Sequence, residues 1–311
     1  MTAIDRRRFV AISAATLAMP RLALAQGAEL QLMTAGPGSA FLPYGQGLAK
    51  VLAGANIAIA VKETKGSNEN LSTVDASPSA LGAAFLGSAF EAITGTGFAA
   101  GKKHLNVCAL FPMYETAFMA AALKARNITA LKDLDGKRVG CGPAAGPAEG
   151  FFRAVADITG IKPEIIGGTP AEQGQQLLAG AIDAFWQGAV VPIPSLVAVV
   201  DRADCAVFGL SDAEIAGMRQ RFPFMAEASV AAATYRGQSA PLQSVAAWNV
   251  VIAHKDLPDA IAYAITKAVL SSKTLVEVIG PAARSTSARN AGVNTIVPYH
   301  PGAERAIKEL S

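Results

Sequence analysis

"LQLMTAGPGSAFLPYGQGLAK", residues 30–50, places a short apolar run, a glycine turn and a helix-like segment in direct succession. The apolar run is typical of a buried β-strand, and the segment from Phe41 onward continues as a helix. A glycine-rich turn that opens a helix exposes backbone N–H groups with no partner within the helix, and such groups bind anions. The stretch therefore predicts a strand–turn–helix unit with an anion site at the turn.

The same order recurs in "RVGCGPAAGPAEGFFRAVADITG", residues 138–160, where a second glycine turn precedes a helix from Pro147. Further short apolar runs alternate with helical segments, which favours an α/β chain with mostly parallel sheets. We expect two lobes, residues 26–117 with 232–311 and residues 118–231. In such sheets ligands bind beyond the carboxyl ends of the strands, so the cleft between the lobes is the expected site.

The N-terminal residues 1–25 have the pattern of an export peptide. Three arginines, Arg6 to Arg8, precede a short apolar stretch, and Ala23-Leu24-Ala25 forms a small-residue cleavage signal. Consecutive arginines followed by Phe9 indicate a twin-arginine-like route, with general export as the alternative. The sequence therefore predicts cleavage after Ala25 and a periplasmic protein.

Charge and hydropathy exclude two classes of partner. Residues 26–311 carry 23 basic and 23 acidic side chains, so the pI of about 8.7 comes from the export peptide and nucleic-acid binding is not expected. Residues 184–200, "AFWQGAVVPIPSLVAVV", are apolar but are interrupted by Gln187, Pro192 and Pro194. They fall short of the roughly 20 residues of a membrane span, and predict a buried strand, a turn and a helix begun by Pro194.

Cofactor and metal signals are weak. Cys108, Cys141 and Cys205 are widely spaced and form no C-x-x-C pair, so we expect small buried hydrophobes, with one disulfide as the alternative, and no metal site. Phe41 stands where a dinucleotide-binding turn would have its third glycine, which argues against a nucleotide. No cofactor is expected.

Catalytic signals are equally weak. The sequence has no G-x-S-x-G motif, and His104, His254 and His300 are its only histidines. His104 lies beside two lysines and predicts a solvated loop, His254 indicates a structural role, and His300 is expected to order the start of the last helix. We therefore expect a binding protein and not an enzyme.

Candidate ligand contacts combine turn amides with hydroxyl, amide and aromatic side chains. Ser67 and Asn68 could instead cap a helix that begins near Glu69, and Phe41 and Trp186 could belong to the core instead of stacking on a ligand. The predicted contacts are Gly38, Ser39, Ala40, Phe41, Ser67, Asn68, Ser88, Ala145, Gly146, Trp186 and Gln187.

These motifs resemble the TAXI solute receptors of tripartite ATP-independent periplasmic (TRAP) transporters. The resemblance rests on six segments in order: "GPGSAFLPYG", "ETKGSNENL", "LKDLDGKRVGCGPAAGPAE", "GAIDAFW", "ATYRGQ" and "YHPGAERA". It implies a two-lobed periplasmic-binding-protein fold, a small ligand that is often a carboxylate or amino acid, and delivery to membrane permease subunits. We also expect a monomer. A periplasmic enzyme on the same fold and a ligand-sensing subunit of a membrane kinase are the alternatives.

The chain departs from the TAXI pattern at the turns that would contact the ligand. The family's first turn usually has more glycine and a hydroxyl where Pro37 and Ala35 stand, and residues 145–148 lack the hydroxyls of a Gly-Ser-Gly-Thr-like turn. Polar ligand groups left without partners there would cost about 1–3 kcal/mol each. The departures therefore predict a monocarboxylate with an apolar or aromatic body, with a dicarboxylate or an amino acid as the alternatives.

Overall fold

A computed structural model describes residues 29–311. The strands are β1 Leu30–Met33, β2 Ile59–Lys62, β3 Ala80–Phe85, β4 Val107–Leu123, β5 Arg138–Gly140, β6 Glu164–Ile166, β7 Ala184–Ala189, β8 Cys205–Phe208, β9 Ala226–Val230 and β10 Leu242–His254. The helices are α1 Phe41–Gly54, α2 Ser67–Ala76, α3 Leu86–Thr94, α4 Pro147–Thr159, α5 Pro170–Leu178, α6 Pro194–Val200, α7 Asp212–Arg221, α8 Asp259–Leu270, α9 Leu275–Ile279 and α10 Pro301–Leu310. The predicted export peptide lies outside the described residues.

All ten strands form one continuous sheet with the order β2-β1-β3-β10-β4-β7-β5-β6. In addition, β8 pairs with β4 and β9 pairs with β10. The sheet has two halves, a first lobe around β2, β1 and β3 and a second lobe around β7, β5 and β6. The fold is thus the predicted α/β fold with two lobes.

The centre of the sheet differs from the predicted parallel arrangement. Pairs within each lobe, such as β1 with β2 and β5 with β6, are parallel. However, β10 runs antiparallel to β3, β4 and β9, and β4 runs antiparallel to β7 and β8. The prediction of mostly parallel sheets is therefore wrong, because two long strands join the lobes directly without a helical crossover.

Strands β4 and β10 connect the two lobes. The first half of β4 pairs with the end of β10 beside β3, whereas its second half pairs with β7 and β8. The apolar stretch 105–123, expected to continue the strand–helix alternation, is mostly this one strand. Residue 117 lies within β4, and no break in the sheet marks a boundary there. The division of the chain at residues 117 and 232 therefore stays a prediction.

Several element boundaries follow directly from residue chemistry. Helix α4 begins at Pro147 as predicted, because proline fits the first helical turn, where its missing N–H costs no hydrogen bond. Residues 184–200 form strand β7, a turn and helix α6, which begins at Pro194. Within residues 29–311, no helix has both the length and the apolar character that a membrane crossing requires.

Helices pack against the sheet, and the buried apolar residues form three clusters. One cluster lies in the second lobe and holds Phe118, Phe151, Phe152 and Trp186, while another packs α2 and α3 onto the first lobe. The third runs along both lobes. The cysteines Cys108, Cys141 and Cys205 are free and buried, so the alternative of a disulfide among them is wrong.

The histidines are structural, but one lies in an unexpected place. His300 is the N-cap of α10 and accepts the N–H of Gly302, as predicted, and the Nδ1 of His254 accepts the N–H of Asp256. His104 is only 4% exposed, and its Nδ1 lies 3.1 Å from the Asp75 carboxylate. The prediction of a solvated loop at His104 is wrong, because this carboxylate provides a buried partner.

A partly buried ion pair joins the start of β5 to the residue before β7. Asp183, directly before β7, accepts hydrogen bonds from the Nε and Nη2 of Arg138 at 3.1 and 3.0 Å. It also accepts the Arg138 backbone N–H at 3.0 Å. The hydrogen bonds from Arg138 hold the pKa of the Asp183 carboxyl below its usual range.

We expect Asp183→Asn to lower stability by about 1–3 kcal/mol at neutral pH, because the charged hydrogen bonds are lost. A depressed folded-state pKa stabilises the protein above the unfolded pKa of about 3.9, and this stabilisation disappears as the pH falls through the folded value. Urea unfolding at several pH values below 5 should therefore show a smaller loss of stability for Asp183→Asn than for the wild type. Equal pH dependence of the two proteins would contradict the assignment.

Candidate functional site

A cleft of about 650 Å³, including its open mouth, lies between the two lobes. Most of its wall is apolar, with aromatic rings from β3, β4 and α1. The lining residues are Ala35, Gly36, Ser39, Ala40, Phe41, Lys65, Gly66, Ser67, Phe85, Tyr114, Thr116, Phe118, Pro143, Pro147, Ala148, Pro170, Gln187, Gly188, Ala189 and Asn249.

Four helices begin at this cleft. The first residues of α1, α2, α4 and α5 are Phe41, Ser67, Pro147 and Pro170, and all four residues line it. Two of the helices belong to each lobe. Because a helix N-terminus carries partial positive charge and unpaired N–H groups, each of these helix starts favours negative charge unless an acidic residue offsets it.

Three of these helix starts already have an acidic partner. Glu69, Glu149 and Glu172 lie in the first turns of α2, α4 and α5. Each accepts a backbone N–H just before or at the cap of its own helix, at 2.8, 2.9 and 2.8 Å. These carboxylates offset the positive ends of their helices. The start of α1 is different.

Helix α1 has no acidic residue in its first turn and no side-chain cap. The Ser39 hydroxyl accepts the N–H of Phe41 at 3.1 Å, which orders the turn. Within the described chain, the N–H groups of Ala40 and Leu42 have no hydrogen-bond acceptor. The start of α1 therefore offers uncompensated donors to an anion at the cleft.

Tyr114, Thr116 and Asn249 form what we call the floor of the cleft, on the strands that join the lobes. The Asn249 Nδ2 donates to the Tyr114 carbonyl at 2.8 Å and to the Thr116 hydroxyl at 2.7 Å. A register shift in the β4–β10 pairing lies between Trp248 and Val250, at Asn249, and such irregularities redirect side chains near functional sites. Asn249 thereby ties both strands together beneath the cleft.

Two polar atoms of the floor have no partner among residues 29–311. These are the Oδ1 of Asn249 and the hydroxyl of Tyr114, both buried. Burial raises the pKa of Tyr114 well above its usual value, so the phenol stays neutral. Unpaired buried polar atoms are rare in folded proteins, and their presence in a cleft indicates a ligand that supplies the partner.

Two further polar side chains line the walls. The Nε2 of Gln187 donates to the Oε1 of Gln173 at 3.3 Å. The Gln173 Oε1 also accepts the Gly142 N–H at 2.8 Å, so the pair fixes the turn before α4. Lys65 is exposed at the mouth and makes no ion pair with any described residue. Lys65 is also the one charged side chain among the described lining residues.

The two lobes contact each other at two places on the edge of the cleft, which we call the rims. At the first rim, Gly38 packs so closely on α5 that a Cβ there would lie 2.7 Å from the Ala171 nitrogen. At the second rim, the Asn68 Nδ2 donates to the Ala145 carbonyl at 2.7 Å. Since each contact joins opposite lobes, the structure has the two lobes closed against each other.

The predicted contact residues divide into three groups. Ser39, Ala40, Phe41, Ser67 and Gln187 line the cleft. Gly38, Asn68 and Ala145 form the rims, with Gly146 beside Ala145. Ser88 and Trp186 do neither. Ser67 does not act as a helix cap, because Gly66 holds that position and the Ser67 hydroxyl accepts the Phe85 N–H at 2.9 Å.

Trp186 and Ser88 are fully buried and do not line the cleft. The Trp186 ring stacks on Phe118 with centroids 5.5 Å apart and lies 5.7 Å from Phe152. The core alternative therefore describes Trp186, whereas Phe41 lies at the cleft. Neighbouring strand residues point to opposite faces of a sheet, so Trp186 and Gln187 cannot both face one cleft.

Sequence reasoning missed the floor. Tyr114 and Asn249 are 135 positions apart, and only the pairing of two long strands brings them together. Asn249 alone gave a usable signal, because an amide within the apolar run "SVAAWNVVIAH" has to find buried partners. Lys65 was part of the quoted Thr-x-Gly-Ser segment but was not selected.

A family model, described as the NMT1-like family, matches residues 32–310, which is nearly all of the described chain. The chain belongs to the NMT1-like family. The match includes both glycine turns and the floor, so the family assignment covers the whole cleft. Among functionally curated proteins, none matches this chain in sequence.

Solved structures similar to this NMT1-like chain include a periplasmic binding protein and two proteins with a dicarboxylate bound. MatC from Rhodopseudomonas palustris, with bound malate, is 11% identical with a TM-score of 0.59 over 91% of this chain and 97% of that chain. The periplasmic binding protein BugD is 11% identical with a TM-score of 0.56 over 91% and 94%. R. palustris Rpa4515, with adipate, is 12% identical with a TM-score of 0.55 over 90% and 94%. At these identities the comparison confirms the two-lobed periplasmic-binding-protein fold.

The described residues also contain no group of three or more histidine, cysteine, aspartate or glutamate side chains arranged to hold a metal ion. The polar groups at the cleft are amides, hydroxyls and backbone N–H groups. Such groups can bind and orient a ligand by hydrogen bonds.

Proposed function

We propose that this protein is a periplasmic solute receptor of the TAXI type, which binds a small organic anion between its lobes. The ligand carries one carboxylate and an apolar body. The closed, loaded receptor delivers it to the membrane subunits of a TRAP permease and acts as a monomer. The export peptide and the TAXI-like segments support the location and the transport role.

The uncompensated start of α1 carries the proposal. Of the four helices that begin at the cleft, α1 alone among those described lacks an acidic residue in its first turn. Its free N–H groups and positive end stabilise a carboxylate by direct hydrogen bonds in a partly buried setting. Lys65 at the mouth adds one positive charge.

The apolar walls determine the rest of the ligand. Phe41, Phe85 and Phe118 surround the cleft together with three prolines, and these surfaces stabilise hydrocarbon by about 25 cal/mol for each Å² removed from water. The cleft has one uncompensated helix start and one lysine, so we expect the ligand to carry a single negative charge. Malate and adipate, named for two of the similar structures, support the carboxylate class, and the apolar walls favour a less polar member of it.

A thermal-shift screen of monocarboxylates, dicarboxylates, amino acids and neutral solutes tests the proposal. A monocarboxylate at 100 times its dissociation constant should stabilise the protein by about 2.7 kcal/mol. Lys65→Gln should weaken its binding by a few-fold to about tenfold and reduce the dependence of affinity on salt, because one attractive charge is lost.

Lys62→Gln is the matched control, since Lys62 is also exposed but does not line the cleft. It should leave both affinity and salt dependence unchanged. Stabilisation by neutral solutes or amino acids with none from carboxylates would contradict the proposed function. Turnover of a bound acid at enzymatic rates would do the same.

A further inference from the structure

The floor of the cleft determines which chemical group the deep end of the ligand must carry. Both hydrogens of the Asn249 Nδ2 are used, on the Tyr114 carbonyl and the Thr116 hydroxyl. The Tyr114 carbonyl can only accept, so it fixes which end of the amide is nitrogen. The Oδ1 of Asn249 is therefore an acceptor, and it has no donor within residues 29–311.

An acceptor in this position discriminates among ligand groups. The hydroxyls of Tyr114 and Thr116 can rotate to donate or to accept, but the Oδ1 of Asn249 can only accept. A carboxylate oxygen also only accepts, so a second carboxylate at the floor would leave Asn249 unpaired and repelled. The ligand has to bring a hydrogen-bond donor to this point.

An ammonium group is a poor candidate for that donor. None of the described lining residues is an aspartate or glutamate, so a cation in the cleft would have no countercharge. The uncompensated start of α1 also makes the cleft unfavourable for positive charge. A buried charge without a partner is costly, whereas a hydroxyl needs only its hydrogen bonds.

We propose that the ligand is a hydroxy monocarboxylate, whose carboxylate binds at the start of α1 and whose hydroxyl donates to the Oδ1 of Asn249. The Tyr114 hydroxyl, the second unpaired polar atom of the floor, also hydrogen-bonds the ligand. The inference rests on the proposed function, because it extends the same site from an organic anion to a subclass. It adds Asn249 and Tyr114 as specificity-determining residues.

Matched sets of acids that share one carbon skeleton test this inference by isothermal titration calorimetry. One set is phenyllactate, 3-phenylpropanoate and phenylalanine, and another is 2-hydroxy-4-methylpentanoate, 4-methylpentanoate and leucine. Sets with the hydroxyl at later carbons, and the dicarboxylates malate and adipate, complete the panel. In at least one set the hydroxy acid should bind about tenfold or more tighter than both its parent acid and its amino acid.

Variants locate that preference at the floor. Asn249→Ala should reduce the affinity ratio of hydroxy acid to parent acid to about one, because both acids then lack the same partner. Tyr114→Phe removes only an unpaired hydroxyl and should reduce the ratio by several-fold while leaving thermal stability intact. If Asn249→Ala does not fold, Tyr114→Phe decides the question.

Tyr235→Phe is the matched control, because Tyr235 is an equally buried phenol away from the cleft that accepts the Ile193 N–H at 2.8 Å. In Tyr235→Phe the affinity ratio of hydroxy acid to parent acid should equal that of the wild type. The inference would be overturned if the parent acids bound as tightly as the hydroxy acids, or if an amino acid or a dicarboxylate bound tightest. Neither result would contradict the proposal that the protein is a receptor for organic anions. Failure of every acid to bind would overturn the proposed function itself.

Discussion

Gly38→Ala is expected to weaken ligand binding on the order of 100-fold while the protein still folds. A Cβ at Gly38 would lie 2.7 Å from the backbone nitrogen of Ala171 in α5, so the first rim cannot close around it. Only the closed form contains this contact. A 100-fold loss equals about 2.7 kcal/mol of selective destabilisation of the closed form, which reduces the apparent affinity by the same amount.

Backbone strain has to be separated from the clash. Gly38 has φ of +83°, and alanine is strained there whatever the space around it. Gly136→Ala is the matched control, because Gly136 has φ of +66° and open space around its Cβ position. Calorimetry should show a small loss of stability for both variants and a large loss of affinity for Gly38→Ala alone. Wild-type affinity in Gly38→Ala would show that ligand binding does not need the first rim.

Trp186→Ala is expected to lower mainly the stability of the protein, and Phe41→Ala mainly its affinity for the ligand. Trp186 is fully buried against Phe118 and Phe152, so its truncation should cost about 3–5 kcal/mol of stability. Phe41 is partly exposed at the cleft, 6.3 Å from the Tyr114 ring, and its loss should weaken binding by tenfold or more with a smaller effect on stability.

Urea unfolding and calorimetry on both variants separate the two roles. Trp186→Phe, which keeps most of the ring surface, serves as the folded control if Trp186→Ala does not express. Ligand affinity lost in Trp186→Phe at unchanged stability would contradict the placement of Trp186 in the core. For Phe41→Ala, by contrast, we expect a loss of ligand affinity with only a small loss of stability.

Local patterns predicted the units of this fold better than their assembly. Proline and glycine chemistry placed the starts of α4 and α6 and the first glycine turn, because these signals act within a few residues. The antiparallel centre was not predictable in this way. Residues 107–123 are apolar except for Glu115 and Thr116, and such a run has no period that distinguishes one long strand from a strand followed by a helix.

The candidate site was predicted where it follows from a turn and missed where it follows from strand pairing. Ser39, Ala40 and Phe41 lie at a helix start that the sequence displays directly. Asn249 and Tyr114 meet only through the register of β4 with β10, which no local pattern encodes. Trp186 was misplaced because β7 is buried on both faces, and burial alone does not indicate which face meets a cleft.

The position of the floor on β4 and β10 has a kinetic consequence. Both strands run through the two lobes, so a rotation of one lobe about this strand pair displaces the rims far and the floor little. A ligand that enters the open protein therefore meets Asn249 in nearly its final geometry, whereas both rims surround it only after closure. In the proposed receptor, we expect the floor and the start of α1 to set the rate at which the ligand is captured, and the rims to set the rate at which it is released.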